Sequence, residues 1–227
     1  MSKTINELAT DAKSQKVIYD NSASELLREF FSRDLSDNEL ANLVGAIDDA
    51  VILVEGRGEM IFAQIKHPKL KIHDVFIARN GENEVFLRID EIEFHAFHRG
   101  QKEGVKLLLR QISQARKLNV AYIETEADGN PKTFRRRNGY YVWARFGFDA
   151  PLSSKKKILL PDNLKLINES GVWREVETLN DLMLIGGQDW WRENGEESLT
   201  FFDLRDSGNS LKTFEKYVLE LNQEGKL

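Results

Sequence analysis

The residues best suited to chemistry lie where a carboxylate-rich strand runs into a glycine-bearing turn that opens directly into a helix. The turn, residues 99–104, reads Arg-Gly-Gln-Lys-Glu-Gly, and an amphipathic segment follows it. Backbone N–H groups at the start of a helix are unpaired and lie at the positive end of the helix dipole. Such a turn binds anions readily. The stretch therefore predicts an anion site suited to a pyrophosphate.

Candidate metal ligands lie beside this turn, because His95 and His98 follow Glu91 and Glu93. Imidazole and carboxylate groups together can coordinate a metal ion. The chain has four histidines, however, and no His-x-x-x-His pair that would place two ligands on one helix face. It has no cysteine, which excludes disulfides, thiol catalysis and cysteine-ligated zinc. The sequence does not favour a metal centre.

A basic run, Arg135–Arg137 with Lys132, precedes an aromatic segment. Three interpretations stay open: the run pairs with a phosphate group, contacts an acidic or nucleic-acid substrate, or faces water. The net charge of -5 and the pI near 5.5 argue against nucleic acid as a partner of the chain.

Composition and the N-terminal sequence indicate a soluble protein. Hydrophobic residues make up 41% of the 227 positions, which is enough for a core. Residues 1–16 are polar and mixed in charge, without the apolar core of a signal peptide. No run approaches the roughly 18 apolar residues of a membrane span. We expect a cytoplasmic protein without a membrane partner.

Hydrophobic periodicity predicts the elements that position these groups. Strands are predicted at 15–20, 51–54, 59–66, 71–79, 84–97, 119–124 and 199–204, and helices after the capping-box pairs Ser22/Glu25 and Ser36/Glu39 and at 104–118, 138–146, 172–185 and 211–221. Asn80-Gly81 is typical of a hairpin turn, and Gly147 of a helix end. The pattern predicts a mixed α/β (α+β) fold, with a mostly antiparallel central sheet flanked by helices. Residues 1–150 form one predicted domain, and 151–227 a C-terminal α/β extension packed on it.

The strand before the turn contains a change of parity. Val85, Leu87 and Ile89 share one parity, whereas Ile92 and Phe94 share the other. An extra residue near Asp90 or Glu91, a β-bulge, would place both groups on one buried face. Alternatively, the sheet is buried on both faces at this point.

These residues carry a resemblance to a known family. The order strand, two helices, three strands, turn, helix, strand, helix resembles the GNAT superfamily of acyl-coenzyme A-dependent N-acyltransferases. So do Arg99-x-x-Lys102-x-Gly104, against that family's Arg/Gln-x-x-Gly-x-Gly/Ala turn, and the Arg-Phe-Gly-Phe ending of the aromatic helix. The resemblance covers residues 15–150 and is most specific over 85–149. The C-terminal part is similar to acyltransferase-like proteins of phages and mobile elements.

The resemblance implies a cofactor, acetyl-CoA or another acyl-CoA, bound along the strand and turn. The implied cofactor-binding residues are Ile92, Phe94, Arg99, Gly100, Gln101, Lys102, Glu103 and Gly104. An amine, on a small molecule or a protein substrate, would attack the thioester, with Glu91 or Glu93 removing its proton. Tyr140 or Tyr141 would protonate the departing thiolate.

The sequence departs from the family pattern at two positions. Lys102 stands where the family usually has glycine, and lysine limits close backbone approach to phosphate if φ must be positive. Its cation, however, is attractive to phosphate. Trp143 stands where the family commonly has its tyrosine acid, which is why Tyr140 and Tyr141 are the candidates.

A second hypothesis keeps the fold without the chemistry. The chain would then be a binding or structural module that acts through protein partners, with a surface around Trp190, Trp191 and Phe202. Homodimerisation is compatible with either hypothesis.

Overall fold

The computed structural model describes residues 9–98, 102–169, 171–205 and 208–225. The strands are β1 (Lys16–Tyr19), β2 (Val51–Arg57), β3 (Met60–Lys66), β4 (Leu70–Arg79), β5 (Val85–Phe94), β6 (Tyr122–Ala127), β7 (Leu166–Glu169), β8 (Val172–Glu175) and β9 (Ser198–Asp203). The helices are α1 (Asn21–Phe31), α2 (Asp37–Leu43), α3 (Glu103–Lys117), α4 (Gly139–Arg145), α5 (Ser154–Leu159), α6 (Leu179–Leu184), α7 (Gln188–Asn194) and α8 (Asn209–Gln223), with 3-10 turns at Ala96–His98 and Asp162–Leu164.

The larger sheet has the strand order β1-β2-β3-β4-β5-β6-β9, and β7 and β8 form a separate two-stranded sheet. β1 runs parallel to β2, and β2 to β5 form an antiparallel ladder. The predicted mixed α/β fold with a mostly antiparallel sheet is confirmed. The chain divides into two compact units, one ending at Ile123 and the other spanning Glu124–Gly225. The predicted division into 1–150 and 151–227 stays a prediction.

In the first unit, alternate residues of the antiparallel ladder form the core. Ile61 lies opposite Ile77, Ala63 lies opposite Val75, and all four are buried. Helix α3 contributes the predicted apolar stripe: Val105, Leu108, Leu109, Ile112 and Ala115 are buried. Each large aliphatic side chain in such a core stabilises the fold by about 1.5–3 kcal/mol.

The helix starts differ in part from the predictions, and the strands between α2 and α3 agree with them. The Ser36/Glu39 capping box of α2 is confirmed. Helix α1, however, is capped by Asp20 and not by the predicted Ser22/Glu25 pair, because the Asp20 carboxylate accepts a hydrogen bond from Ala23 N at 2.7 Å. Four strands, β2 to β5, separate α2 from α3, which confirms the four strands predicted between residues 51 and 97. The order quoted for the family resemblance has three strands at this point.

The predicted bulge in β5 is confirmed. Glu91 pairs with Asp74 and Ile89 with Val75, so Asp90 is the extra residue on β5. A second register shift follows between Leu70 and Ile72 on β4. A bulge bends its strand and leaves backbone groups unpaired. Both irregularities occur in the part of the β4–β5 pair that leads to α3.

A buried cation, Arg110 on α3, connects distant parts of the first unit. Its side chain is 7% exposed, and its guanidinium donates to the carbonyls of Thr10 at 2.6 Å and Ala46 at 2.9 Å. It also forms an ion pair with Asp48 at 2.8 Å. Arginine tolerates this burial because all of these partners accept hydrogen bonds from its planar fork.

The second unit has its own apolar cluster. Its buried members include Tyr140, Leu152, Leu160, Leu182 and Trp191. The final helix α8 and strand β9 confirm the predicted elements at 211–221 and 199–204. Among the described residues, no helix is both long and apolar enough to cross a bilayer.

The predicted helix at 172–185 is wrong in its first half. Val172–Glu175 forms strand β8 and pairs with β7, and Gly171 N donates a hydrogen bond to the Asn168 side chain at 2.9 Å. Helix α6 starts only after Thr178, whose side chain and that of Asp181 form a capping box. A Thr-x-x-Asp signature was therefore present in the sequence at the true helix start.

Candidate functional site

Lys102 adopts a left-handed backbone conformation at the start of α3. Its φ is +62°, in the left-handed region, and it is the N-cap of α3 without a side-chain cap. The carbonyl of Lys102 accepts hydrogen bonds from the amides of Val105 and Lys106. A lysine therefore occupies a left-handed backbone position at the start of α3. The predicted ligands Arg99, Gly100 and Gln101 lie outside the described residues.

Among the described residues, the first turn of α3 is open next to Gly104. Of these residues, a methyl group placed on Gly104 would meet only Phe94, with 3.9 Å to Cε2 of its ring. This contact brings together two predicted cofactor-binding residues, one at the end of β5 and one in the first turn of α3. The space beside Gly104 is what a ligand group needs to approach a helix start.

Glu103, also in this first turn, already has a cationic partner. Lys69 Nζ lies 2.8 Å from its carboxylate, and the two side chains are 32% and 18% exposed. A carboxylate is favourable at a helix N-terminus for the same reason that a phosphate is. Lys69 offsets that negative charge locally, and the sequence analysis did not select it. Only the pairing of α3 with the β3–β4 turn identifies it.

The two candidate bases on β5 differ in their surroundings. Glu93 forms an ion pair with Lys71 at 2.9 Å and lies opposite Ile72. Glu91 is exposed, next to the bulged Asp90. An ion pair engages the carboxylate oxygens that would have to accept the proton. Of the two, Glu91 has the surroundings better suited to removing a proton.

The candidate acids on α4 have the contacts of packed aromatic residues. Tyr140 is fully buried, and its hydroxyl donates to the carbonyl of Arg192 at 2.6 Å. Burial raises the pKa of this hydroxyl. Tyr141 is half-buried, with its ring centroid 5.7 Å from that of Phe134. Their role as acids stays a prediction. Because the Tyr140 hydroxyl already donates a hydrogen bond to Arg192 O, a packing role is favoured for that residue.

The Arg-Phe-Gly-Phe ending of α4 is a complete helix stop. Gly147, at φ +86°, donates to Ala144 O, and Phe148 N donates to Trp143 O at 3.0 Å. This pair of bonds is the Schellman motif, and the accompanying apolar contact is present because the Trp143 and Phe148 rings lie 4.8 Å apart. The predicted role of Gly147 is confirmed. Trp143 has a structural role at the position where the family commonly has its acid.

A pocket of about 500 Å³ opens at the end of the β3–β4 pair. Its polar lining includes Gln64, Lys66, His67 and Lys71, and no aspartate or glutamate belongs to the described lining. His67 accepts a hydrogen bond at Nδ1 from Lys69 N at 3.1 Å. Burial, and then the Lys69 cation, lowers the pKa of His67. Periodicity did not reveal this pocket, because its residues lie on ordinary strand positions.

The proposed partner surface around three aromatic residues needs correction. Trp191 is 2% exposed and Phe202 is fully buried, so both belong to the core of the second unit, and Trp190 is half-buried. Large exposed apolar side chains of that unit lie instead on the β7–β8 hairpin, where Val172 is 67% and Trp173 is 65% exposed.

The remaining residues that the sequence analysis selected are the basic run and the candidate metal ligands. Arg135–Arg137 is exposed, and Arg137 pairs with Asp128 at 3.3 Å. Within the described ranges, no group of three histidine, aspartate or glutamate side chains is arranged to hold a metal ion.

Sequence comparison with known proteins gives no relative for this chain. No protein-family model matches it, and no curated protein matches it by sequence.

Proposed function

We propose that this protein binds an acyl-coenzyme A at the start of α3 and transfers the acyl group to an amine within a ternary complex. The observation that carries the proposal is the arrangement of β5 and α3. A bulge at Asp90 frees backbone groups on β5, and the strand ends with Phe94 beside the open helix turn at Gly104. A pantetheine arm along β5 would lead its pyrophosphate to that turn.

The reaction requires a base and little else from the described residues. The amine nitrogen attacks the thioester carbonyl, the C–N bond forms, and the C–S bond breaks with release of the thiolate. Glu91 takes the proton from the amine, directly or through water. A backbone donor freed by the bulge would stabilise the oxyanion. Glu93, paired with Lys71, would position the strand.

Coenzyme binding can be tested by thermal unfolding with acetyl-CoA and with free CoA. At a hundredfold excess over Kd, we expect a gain of about 2.7 kcal/mol, or a rise in Tm of about 5–10 °C. Gly104→Glu should remove this rise, because it places a carboxylate where the pyrophosphate would bind. The matched control is Gly81→Glu, at a hairpin turn with no atom within 4 Å of an added Cβ.

A rise in Tm that Gly104→Glu leaves intact would place the coenzyme elsewhere. No rise with any acyl-CoA or free CoA would contradict the proposal. Glu91→Gln should retain the rise and lower transfer by about a hundredfold or more.

The second candidate is a module that keeps this fold without catalysis and acts through protein partners. Three observations favour it. Residue 102 has a left-handed backbone and is lysine, Trp143 packs on Phe148, and the Tyr140 hydroxyl is already hydrogen-bonded to Arg192 O. It predicts a stable complex with a protein partner and no response to coenzyme.

A further inference from the structure

The pocket at the end of β3 and β4 lies next to the strand that carries the candidate bases. Ile72 lines the pocket and pairs with Glu93, and the following outward residue, Asp74, pairs with Glu91. Side chains directly opposite on paired strands have Cβ atoms about 4.5–5.5 Å apart. Lys71, another lining residue, contacts Glu93 directly at 2.9 Å. The pocket and the two carboxylates therefore share one part of the sheet.

The charge of the pocket differs from that of the chain. Lys66 is exposed at its rim, and Lys71 and His67 also line it. Because His67 accepts a hydrogen bond at Nδ1, its neutral ring carries the proton on Nε2 and offers a donor there. The described lining has no carboxylate, in a chain whose net charge is -5. This set of donors suits an anionic group.

The other lining residues and the pocket volume limit the size and polarity of the ligand. Ile65, Leu70 and Ile72 provide apolar wall atoms. A volume of about 500 Å³ is in the range of small-molecule sites. The pocket therefore suits a small organic molecule with one anionic end and a short apolar body.

We propose that this pocket holds the acceptor, and that the acceptor is a small amine that carries a carboxylate or a phosphate group. The inference rests on the proposed acyl transfer. The anionic end contacts Lys66 and His67, and the amine end points along β4 towards Glu91. The carboxylates on β5 attract the protonated amine, and Glu91 then removes its proton.

The proposal is tested on the protein without coenzyme, by NMR titration of the backbone amides of residues 64–73. The probes are 4-aminobutyrate for the carboxylate source, aminoethyl phosphate for the phosphate source, and butylamine, which lacks an anionic group. We expect saturable shifts with one or both zwitterions and none with butylamine. Lys66→Met should weaken binding about tenfold, as the loss of one charge-assisted hydrogen bond predicts. Lys117→Met, at an exposed lysine at the end of α3, is the matched control.

The absence of saturable shifts, equal binding of butylamine, or equal affinity in Lys66→Met and wild type would each overturn the proposal. His67→Leu provides a second variant if Lys66→Met does not fold, because His67 is the other proposed contact of the anionic end. Because the titration contains no acyl-CoA, its failure leaves coenzyme binding untouched. A missing response to acyl-CoA, in turn, contradicts the proposed function. The pocket titration still reports whether the pocket binds the zwitterionic amines.

Discussion

His73, on β4, is an ionisable side chain held in the core of the first unit. It is 2% exposed, and its Nδ1 has no hydrogen-bond partner among the described residues. Burial lowers the pKa of this imidazole from 6.5 to about 4. Between these pH values the unfolded chain binds a proton that the folded chain does not. The free energy of unfolding therefore falls as the pH drops from about 6.5 to about 4.

His73→Phe should remove this contribution. Across the window we expect wild type to lose about 3 kcal/mol more than the variant, because each pKa unit corresponds to about 1.4 kcal/mol. The measurement is urea unfolding at several pH values from 4 to 7. Val75→Ala, a buried change on the same strand, is the control and should lower stability equally at every pH. Parallel pH profiles for wild type and His73→Phe would show that the imidazole is not the cause.

At Lys102 the residue type was known from the sequence, and the backbone conformation was not. The sequence alone marks the lysine as a departure from glycine, but the backbone angle is set by the surrounding fold. The structure shows that the chain adopts a positive φ there with a side chain present. A left-handed conformation costs a non-glycine residue about 1–2 kcal/mol. That cost is compatible with a functional lysine, since strain tends to persist where the fold or a ligand requires it.

The helix stop at Gly147 is the clearest case at the scale of an element. The sequence predicts glycine at the end of α4 because only glycine adopts this conformation at low cost. The role of Trp143 could not be predicted, since it depends on the contact with Phe148 across the stop. A signature ending in Gly-Phe therefore reports a backbone geometry, and catalysis needs separate evidence.

Gly147→Ala should destabilise the protein by about 2–4 kcal/mol. The added Cβ would lie 2.3 Å from Ser210 O, and φ is +86°. Gly104→Ala is the matched control, because its Cβ meets no atom of the described residues closer than 3.9 Å and its φ is outside the left-handed region. We expect that variant to be unchanged or more stable by up to about 1 kcal/mol. Chemical denaturation of both variants checks the pair, and equal stability would contradict the stop motif.

Local signals predicted most elements, and competing signals explain the errors. The Ser36/Glu39 box, the α3 stripe and the bulge at Asp90 each have a pattern that one physical cause explains. The error at Val172–Glu175 arose because four residues of strand cannot be told from a helix turn by periodicity alone. Their pairing with β7 decides the matter, and pairing is not local.

At the scale of the whole molecule, the fold class was predictable and the site was only partly so. The alternation of strands and helices predicted the mixed sheet and all four strands between α2 and α3, whereas the order quoted for the family resemblance has three. The Lys69–Glu103 pair and the pocket at β3–β4 depend on which strand ends lie near α3. Such proximity follows from topology and has no signal in a single sequence.

Arg110→Met should destabilise the whole first unit. The variant leaves the carbonyls of Thr10 and Ala46 without their donor, and we expect a loss of about 2–3 kcal/mol in urea unfolding. Hydrogen exchange at the Ala12 amide should speed up more than exchange in β3. Lys117→Met, on the same helix but exposed, is the control and should stay within about 0.5 kcal/mol of wild type. Equal losses of unfolding free energy in both variants would show that the hydrogen bonds of Arg110 do not stabilise the unit.

Arg110 also sets an order of events during synthesis. Ribosomes add about 5–20 residues per second, so Thr10 leaves the ribosome about 5–20 s before the guanidinium that it binds. An earlier contact is available, because the Ala12 amide donates to the Asn42 side chain at 2.9 Å. The segment around Thr10 and Ala12 can therefore be held provisionally while the chain grows. It becomes fixed only when α3 emerges and folds, so Thr10 reaches its final bond only after Arg110, 100 residues further along the chain, has been made.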